Sequence, residues 1–381
     1  MSSGHLIRMG HSNRPQTLEA VQAFCDAIQQ PDPALVLFFC SDAYDLDLVA
    51  TELARRFTDL PVLGCSTAGE IGPMGCLDHS ISGVSLSRAG FTATVGCIDS
   101  LHEFEVTDGK AFVDEQLRRL NRSTPNADAQ NSFALMLIDG LSLAEEKITR
   151  SLQNALGRIR LIGGSAGDGM DFSKTLVYWN GTFQSDRAAM VLISTPLPFR
   201  IFKIQHFRPT SERLVVTAAD MSKRLVTEIN GLPAAQEYAR LIGVPVDALS
   251  AEHFAAVPLL VLIDGTSYTR SIQKANPDGS LTFFCAIEEG IVMRVAQSED
   301  ILSNIQQSFA EIRAQMGPPA LTLGFDCILR KLENQRLGLN SDMSSIFQHH
   351  HTVGLNTYGE QYCGVHVTQT LTGVAIGDAR V

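Results

Sequence analysis

A strand, a helix and a second strand ending in a glycine-rich turn occur twice in this chain at the same internal spacing, and this repetition restricts the fold more than anything else in the sequence. Residues 34–40 are a short apolar run bounded by Pro33 and by Ser41-Asp42, as expected of a buried parallel strand. A helix follows over 45–56, where Leu46, Val49, Leu53 and Phe57 recur at three- and four-residue steps and Asp45 and Asp47 suit its positive end. Residues 61–70 give a second strand running into Ser66-Thr67-Ala68-Gly69-Glu70. The second copy comprises 134–140, a helix carrying Ile148, Leu152 and Leu156, and 161–168. From Cys40 to Gly64 and from Asp139 to Gly163 the step is 24 residues in both cases. A fainter third copy runs through 321–327, 329–336 and 353–360. Duplicated units of this kind place their glycine-rich turns at equivalent ends of related sheets.

Between the copies lie hairpin signals: 176–181 before 188–193, and 268–274 joined through Asn276-Pro277-Asp278-Gly279 to 281–287. Pro196 and Pro198 interrupt the pattern, which puts a domain seam near Leu197. The expected fold is α/β: two domains with mixed sheets built from repeated βαβ-like units and antiparallel hairpins. Residues 1–15 form an N-terminal tail, 16–197 one domain and 198–381 the other. A length of 381 residues agrees with two domains.

A net charge of −11 without a local run of Lys or Arg argues against nucleic acid and anionic membranes as partners. No apolar leader or membrane-length run occurs, so the expected location is the cytoplasm. The eight cysteines include no C-x-x-C pair, which removes the usual structural zinc site and covalent c-type haem. Gly163-Gly164-Ser165-Ala166-Gly167 matches the G-x-S-x-G elbow of serine hydrolases. The elbow requires a helix directly after the serine, and residues 168–173 read as loop. Plain tight-turn glycines are the alternative. No dinucleotide, P-loop or H-E-x-x-H motif is present. His349-His350-His351 reads as a solvated loop, since adjacent residues on an extended chain face opposite ways. In 201–209 a two-residue period puts His206 on one face with Phe202 and Ile204. Two readings stay open there: a core histidine satisfied by a backbone hydrogen bond, or an axial ligand projecting into a haem pocket. Arg208 would then meet a haem propionate. His366 shares its face with Thr368 and Thr370 and is the reserve ligand.

Residues 63–71, 161–169, 354–361 and 366–373 together resemble the FIST family over nearly the whole chain, with an N-terminal FIST half and a FIST C half. The resemblance implies a sensory input module and not an enzyme. Gln205-His206-Phe207 and Tyr358-Gly359-Glu360-Gln361 are similar to its nitric oxide-sensing branch, called NosP. That likeness implies non-covalent haem b with His206 as iron ligand. It further implies nitric oxide or another diatomic gas as signal, and a sensor histidine kinase or cyclic-di-GMP enzyme as partner. A homodimer is compatible with it. The alternative is a haem-free FIST module for a small metabolite such as an amino acid, in a cleft lined by the glycine-rich turns, Tyr358 and Glu360. A hydrolase using Ser165 is the third reading.

Overall fold

The computed structural model describes residues 6–263 and 265–378. The chain is a mixed α/β protein that forms two compact units not consecutive in sequence. The first takes the described residues of 1–203, 306–365 and 371–381, and the second takes 204–305 and 366–370.

The first unit contains three repeats, so the faint third copy is real. Each repeat pairs two strands in parallel: Pro33–Ser41 with Val62–Thr67, Ser132–Ile138 with Leu161–Ser165, and Pro319–Cys327 with Thr352–Thr357. The helix between the first pair, Leu46–Arg56, is capped by Asp45, whose side chain accepts the Leu48 N–H at 3.1 Å, and ends on Arg55 and Arg56. After the turn comes a short hairpin strand, and a longer strand then returns antiparallel to the first strand of its repeat. The returning strands are Ile81–Ser87, Arg187–Ser194 and Leu371–Gly377. An outer strand opens each repeat: Ile7–Ser12, Thr92–Asp99 and Phe199–Ile204.

The hairpins do not stay at home. Glu70–Gly72 of the first repeat joins the third repeat's strand Thr352–Thr357, Glu360–Tyr362 joins the second repeat's Leu161–Ser165, and Val177–Trp179 joins the first repeat's Val62–Thr67. The exchange is cyclic and closes on itself. The inner faces of all three sheets share one core, to which Leu37 and Leu63, Leu135 and Ile162, and Leu323 and Leu355 contribute. Helices cover the outer faces, packing Phe24 and Leu53 on Phe38 in the first repeat, and Val113 and Ile148 on Met136 in the second. The parallel strands lie so close that a Cβ on Gly354 would stand 1.7 Å from the Gly324 carbonyl oxygen.

The second unit is inserted into the third repeat between its outer strand and its first helix, Ile301–Met316. It is built on antiparallel strands including Phe207–Asp220, Val292–Ser298 and Leu259–Ile263, with Tyr238, Phe254 and Phe283 in its core. The hairpin expected across Asn276–Gly279 is present, pairing Ile272–Ala275 with Leu281–Phe283. No helix among the described residues is long and apolar enough to cross a membrane.

Four expectations change. Residues 7–12, read as tail, form an edge strand on Ile81–Ser87. Residues 176–181 and 188–193 do not pair as a hairpin; Val177–Trp179 turns back through Thr182–Gln184 and is exported to the first repeat. The seam near Leu197 is the junction of the second and third repeats, while the compact units divide elsewhere because of the insertion. His349 to His351 are not a solvated loop. His349 ends the helix Asn340–His349, and His350 is buried with its ring stacked on Phe309 at 4.1 Å. His351 takes a left-handed φ of 48°, with Nδ1 3.0 Å from the Pro319 carbonyl oxygen. Burial pushes the His350 pKa down to about 4.

Candidate functional site

The three glycine-rich turns meet in the first unit, joined by backbone hydrogen bonds that repeat around the junction. Ala68 N–H donates to Asn356 at 3.1 Å, Tyr358 N–H to Ser165 at 3.3 Å, and Gly167 N–H to Ser66 at 3.1 Å. Two bonds return, from Asn356 N–H to Gly69 at 2.7 Å and from Ser165 N–H to Gly359 at 2.8 Å. Ala68, Tyr358 and Gly167 are therefore equivalent positions, as are Ser66, Asn356 and Ser165. Gly69 has φ +136° and Gly359 φ +153°, a region that disfavours any Cβ, so these turns need glycine.

Acidic side chains sit just beyond the turns. Glu70 is fully buried; Thr67 Oγ1 donates to one oxygen, and the Ser80 N–H and Oγ donate to the other at 3.1 and 2.7 Å. Burial pushes its carboxyl up to about 7, against the opposing pull of those bonds and of the Lys331 charge. Glu360 repeats the pattern in the third repeat, accepting from Thr357 Oγ1 at 2.6 Å. In the second repeat the acid is Asp168. Tyr358 OH donates to its Oδ1, while Ser173 N–H, Ser173 Oγ and Lys174 N–H reach its Oδ2 at 2.8, 2.9 and 2.7 Å. Burial works to raise this carboxyl, and the hydrogen bonds outweigh it, holding Asp168 below the usual carboxylate range. Burial, with the bond to Asp168, pushes the Tyr358 phenol well above its ordinary range.

A cavity of about 210 Å³ opens beside the first turn, lined by Ser41, Asp42, Glu70, Asp78, His79 and Lys331 among others. Lys331, on the helix Ile328–Arg336, donates to the Ala68 carbonyl at 2.8 Å and pairs with Asp78. Asp42 is raised by partial burial and then by the charge of Asp168. Where Ala68 leaves this space, its equivalent Tyr358 fills the corresponding position, its ring stacked on Phe172 at 4.4 Å.

Of the residues singled out from sequence, Tyr358 and Glu360 lie at this junction together with Ser165. Ser165 is fully buried and its Oγ accepts from Gln361 Nε2 at 2.9 Å, and the loop after it does not continue as a helix. His206, Arg208 and His366 lie in the second unit, and Phe202 in the first. The strand ends at Ile204, two residues before His206, and Phe202, Ile204 and His206 are buried while Lys203 and Gln205 are half-buried. The His206 ring lies 4.2 Å from Phe207, Arg208 is ion-paired to Glu299 at 2.5 Å, and Phe202 packs on Phe309. His366 is buried in the strand Val365–Val367. In this arrangement the His206 imidazole is enclosed by protein, and Arg208 is an exposed side chain paired with Glu299. Among the described residues no group of three or more His, Cys, Asp or Glu could hold a metal ion. Sequence reasoning missed Glu70, Lys331 and Ser80 as site residues. Aligning Thr67-Ala68-Gly69-Glu70 with Thr357-Tyr358-Gly359-Glu360 would have exposed the first of them.

A family model for the FIST N domain matches residues 34–232, and one for the FIST C domain matches 234–363. No curated protein matches the sequence. Among solved structures, the fold is similar to a cyanuric acid hydrolase from A. caulinodans at 12% identity and TM-score 0.28, over 50% of this chain and 71% of that one. A second cyanuric acid hydrolase structure, described as an innovation by structural concatenation, is similar at 9% identity and TM-score 0.36, over 98% of this chain and 100% of the other.

Proposed function

The chain belongs to the FIST family, whose domains are sensory ligand-binding modules of signalling proteins, and we propose that it senses a small zwitterionic metabolite of the amino-acid class at its glycine-rich turns. The observation that carries this reading is the pairing of Glu70 and Lys331 on one small cavity. A ligand ammonium group is attracted by Glu70, Asp42 and Asp78, while its carboxylate is drawn to Lys331. The Lys331 ammonium has three donors, and its bonds to Ala68 and Asp78 use two of them. A volume near 210 Å³ restricts the ligand to a few heavy atoms beyond its charged groups.

A thermal-shift screen tests the proposal with single amino acids, simple amines and simple carboxylates. A zwitterion present at 100 times its dissociation constant should stabilise the chain by about 2.7 kcal/mol. Glu70→Gln and Lys331→Met should each remove that shift. The absence of any shift across the panel at millimolar concentration would dispose of the reading.

The gas-sensing alternative, with haem b on His206 and nitric oxide as signal, has in its favour a buried imidazole against an aromatic ring. It requires residues 205–208 to rearrange. A Soret band at substoichiometric haem that His206→Ala removes, and His366→Ala does not, would favour it over the metabolite. With either ligand the proposed output partner is a histidine kinase or a cyclic-di-GMP enzyme, supported by likeness to that branch alone. The chain is proposed as a binder and not a catalyst, and the burial of Ser165 supports this.

A further inference from the structure

We infer that the first unit carries a second ligand site, for a small molecule bearing two or more phosphate groups and a flat apolar part, in the cavity shared by Arg158, Arg160 and Arg200. This cavity measures about 650 Å³, within the range of nucleotide-sized ligands. It lies where the helix Glu145–Leu156 ends at Gly157 and the strand Phe199–Ile204 runs past, away from the glycine-rich turns.

Its lining holds three guanidinium groups and no Asp or Glu. The three arginine side chains have neither an ion pair nor a hydrogen bond among the described residues, in a chain whose net charge is −11. Some of the unit's other arginines are matched, as Arg56 is with Asp26 and Arg187 with Asp99, and others stand alone on the surface among the described residues; what sets these three apart is that they line one concavity. Three uncompensated cations around one concavity repel one another and raise the local potential for an anion. Guanidinium forks match phosphate oxygens in pairs. Arg158 also follows a helix C-terminus, which explains one cation but not three.

The cavity has a shaped wall as well as charge. Phe199 is half-buried, held by Phe133 at a ring distance of 5.0 Å, and offers a ring surface to a planar group. Gln153 is fixed, its amide nitrogen bonded to the Gly157 and Ile159 carbonyls and its oxygen to the Leu161 N–H. Asp128, the acid nearest in sequence to the rim at Ala129 and Gln130, is occupied in accepting the Gln130 N–H at 2.8 Å.

Isothermal titration of the full chain at low salt, with inorganic pyrophosphate, adenosine 5′-diphosphate and adenosine as probes, tests the site. Adenosine diphosphate should bind at least tenfold more tightly than pyrophosphate, and adenosine should give no heat. The double variant Arg158→Gln, Arg160→Gln and the single variant Arg200→Gln should each weaken the diphosphate at least tenfold. Lys331→Met should leave it unchanged, which separates this site from the turn cavity. All three arginines are exposed, so the variants are expected to melt with wild type, and circular dichroism checks that they do. No heat from either phosphate at millimolar concentration, or equal affinity in wild type and arginine variants, would overturn the inference.

Discussion

Ala68 and Tyr358 hold the same position in two different repeats: each donates its backbone N–H to the next repeat, at 3.1 Å to Asn356 and at 3.3 Å to Ser165. One presents a methyl group and leaves a cavity, and the other presents a phenol ring that packs on Phe172.

It follows that Ala68→Tyr should close the turn cavity. The ligand-induced thermal shift should disappear, at a stability cost of about 1–3 kcal/mol from overpacking. A melting curve without ligand, compared with one at saturating ligand, measures both effects.

Tyr358→Phe should destabilise the chain by about 1–3 kcal/mol, because the buried Asp168 carboxylate loses a donor and the Asp168 N–H loses its acceptor. Urea unfolding at pH 7 gives the difference. Equal midpoints would mean that the hydroxyl contributes nothing.

Glu70 makes stability depend on pH in an unusual direction. Its carboxyl is raised from an ordinary value of 4.5 to about 7, so between those values the folded chain holds a proton that the unfolded chain has released. The contribution is fully present below pH 4.5 and is lost as pH rises through 7. Relative to wild type, Glu70→Gln should therefore gain stability between pH 5 and pH 8, on the order of 2–3 kcal/mol. Paired urea titrations at the two pH values cancel the other titrating groups.

Gly354→Ala should be far more damaging than its chemistry suggests. The added Cβ meets the Gly324 backbone, which cannot swing aside as a side chain would, and a loss above about 4 kcal/mol is expected. Gly231→Ala meets nothing within 4 Å but takes φ +75°, so it should show only the backbone strain of about 1–2 kcal/mol. Soluble yield and urea midpoint for the pair separate collision from strain.

The first two repeats were legible because residues 34–40 and 134–138 are continuous apolar runs with an amphipathic helix between each and its partner. The third is faint because two helices, Ile328–Arg336 and Asn340–His349, stand between its parallel strands where the other repeats have one, which lengthens the step. The hairpin at Val177–Trp179 was assigned to the wrong neighbour, since local turn signals say where a strand reverses and not which sheet receives it. The two-residue period in burial runs on from Phe202 through Ile204 to His206 although the strand itself stops at Ile204. Glu70 does not stand out in the sequence because a charged residue after a turn commonly faces solvent, whereas here Thr67 and Ser80 hold its carboxyl and its strand pairs with Thr352–Thr357. Tyr358 and Glu360 stand out through the family resemblance, whereas their contacts with Asp168 and Thr357 depend on the fold, 190 residues apart in the first case.

The exchange of hairpins also bears on how the chain is made. Glu70 pairs with Leu355 and Gln361 with Gly163, so the first repeat's hairpin finds its partner strand, and the second sheet its last neighbour, only when nearly all of the chain is available. Contacts of such sequence separation must meet the entropy of closing very long loops before they contribute anything, which slows folding. During synthesis the Glu70–Gly72 strand waits with its edge unpaired until Thr352–Thr357 leaves the ribosome. A truncation anywhere before that strand deprives the first repeat as well as the third, and the nascent chain, more than the finished protein, is the species that chaperones would be expected to hold.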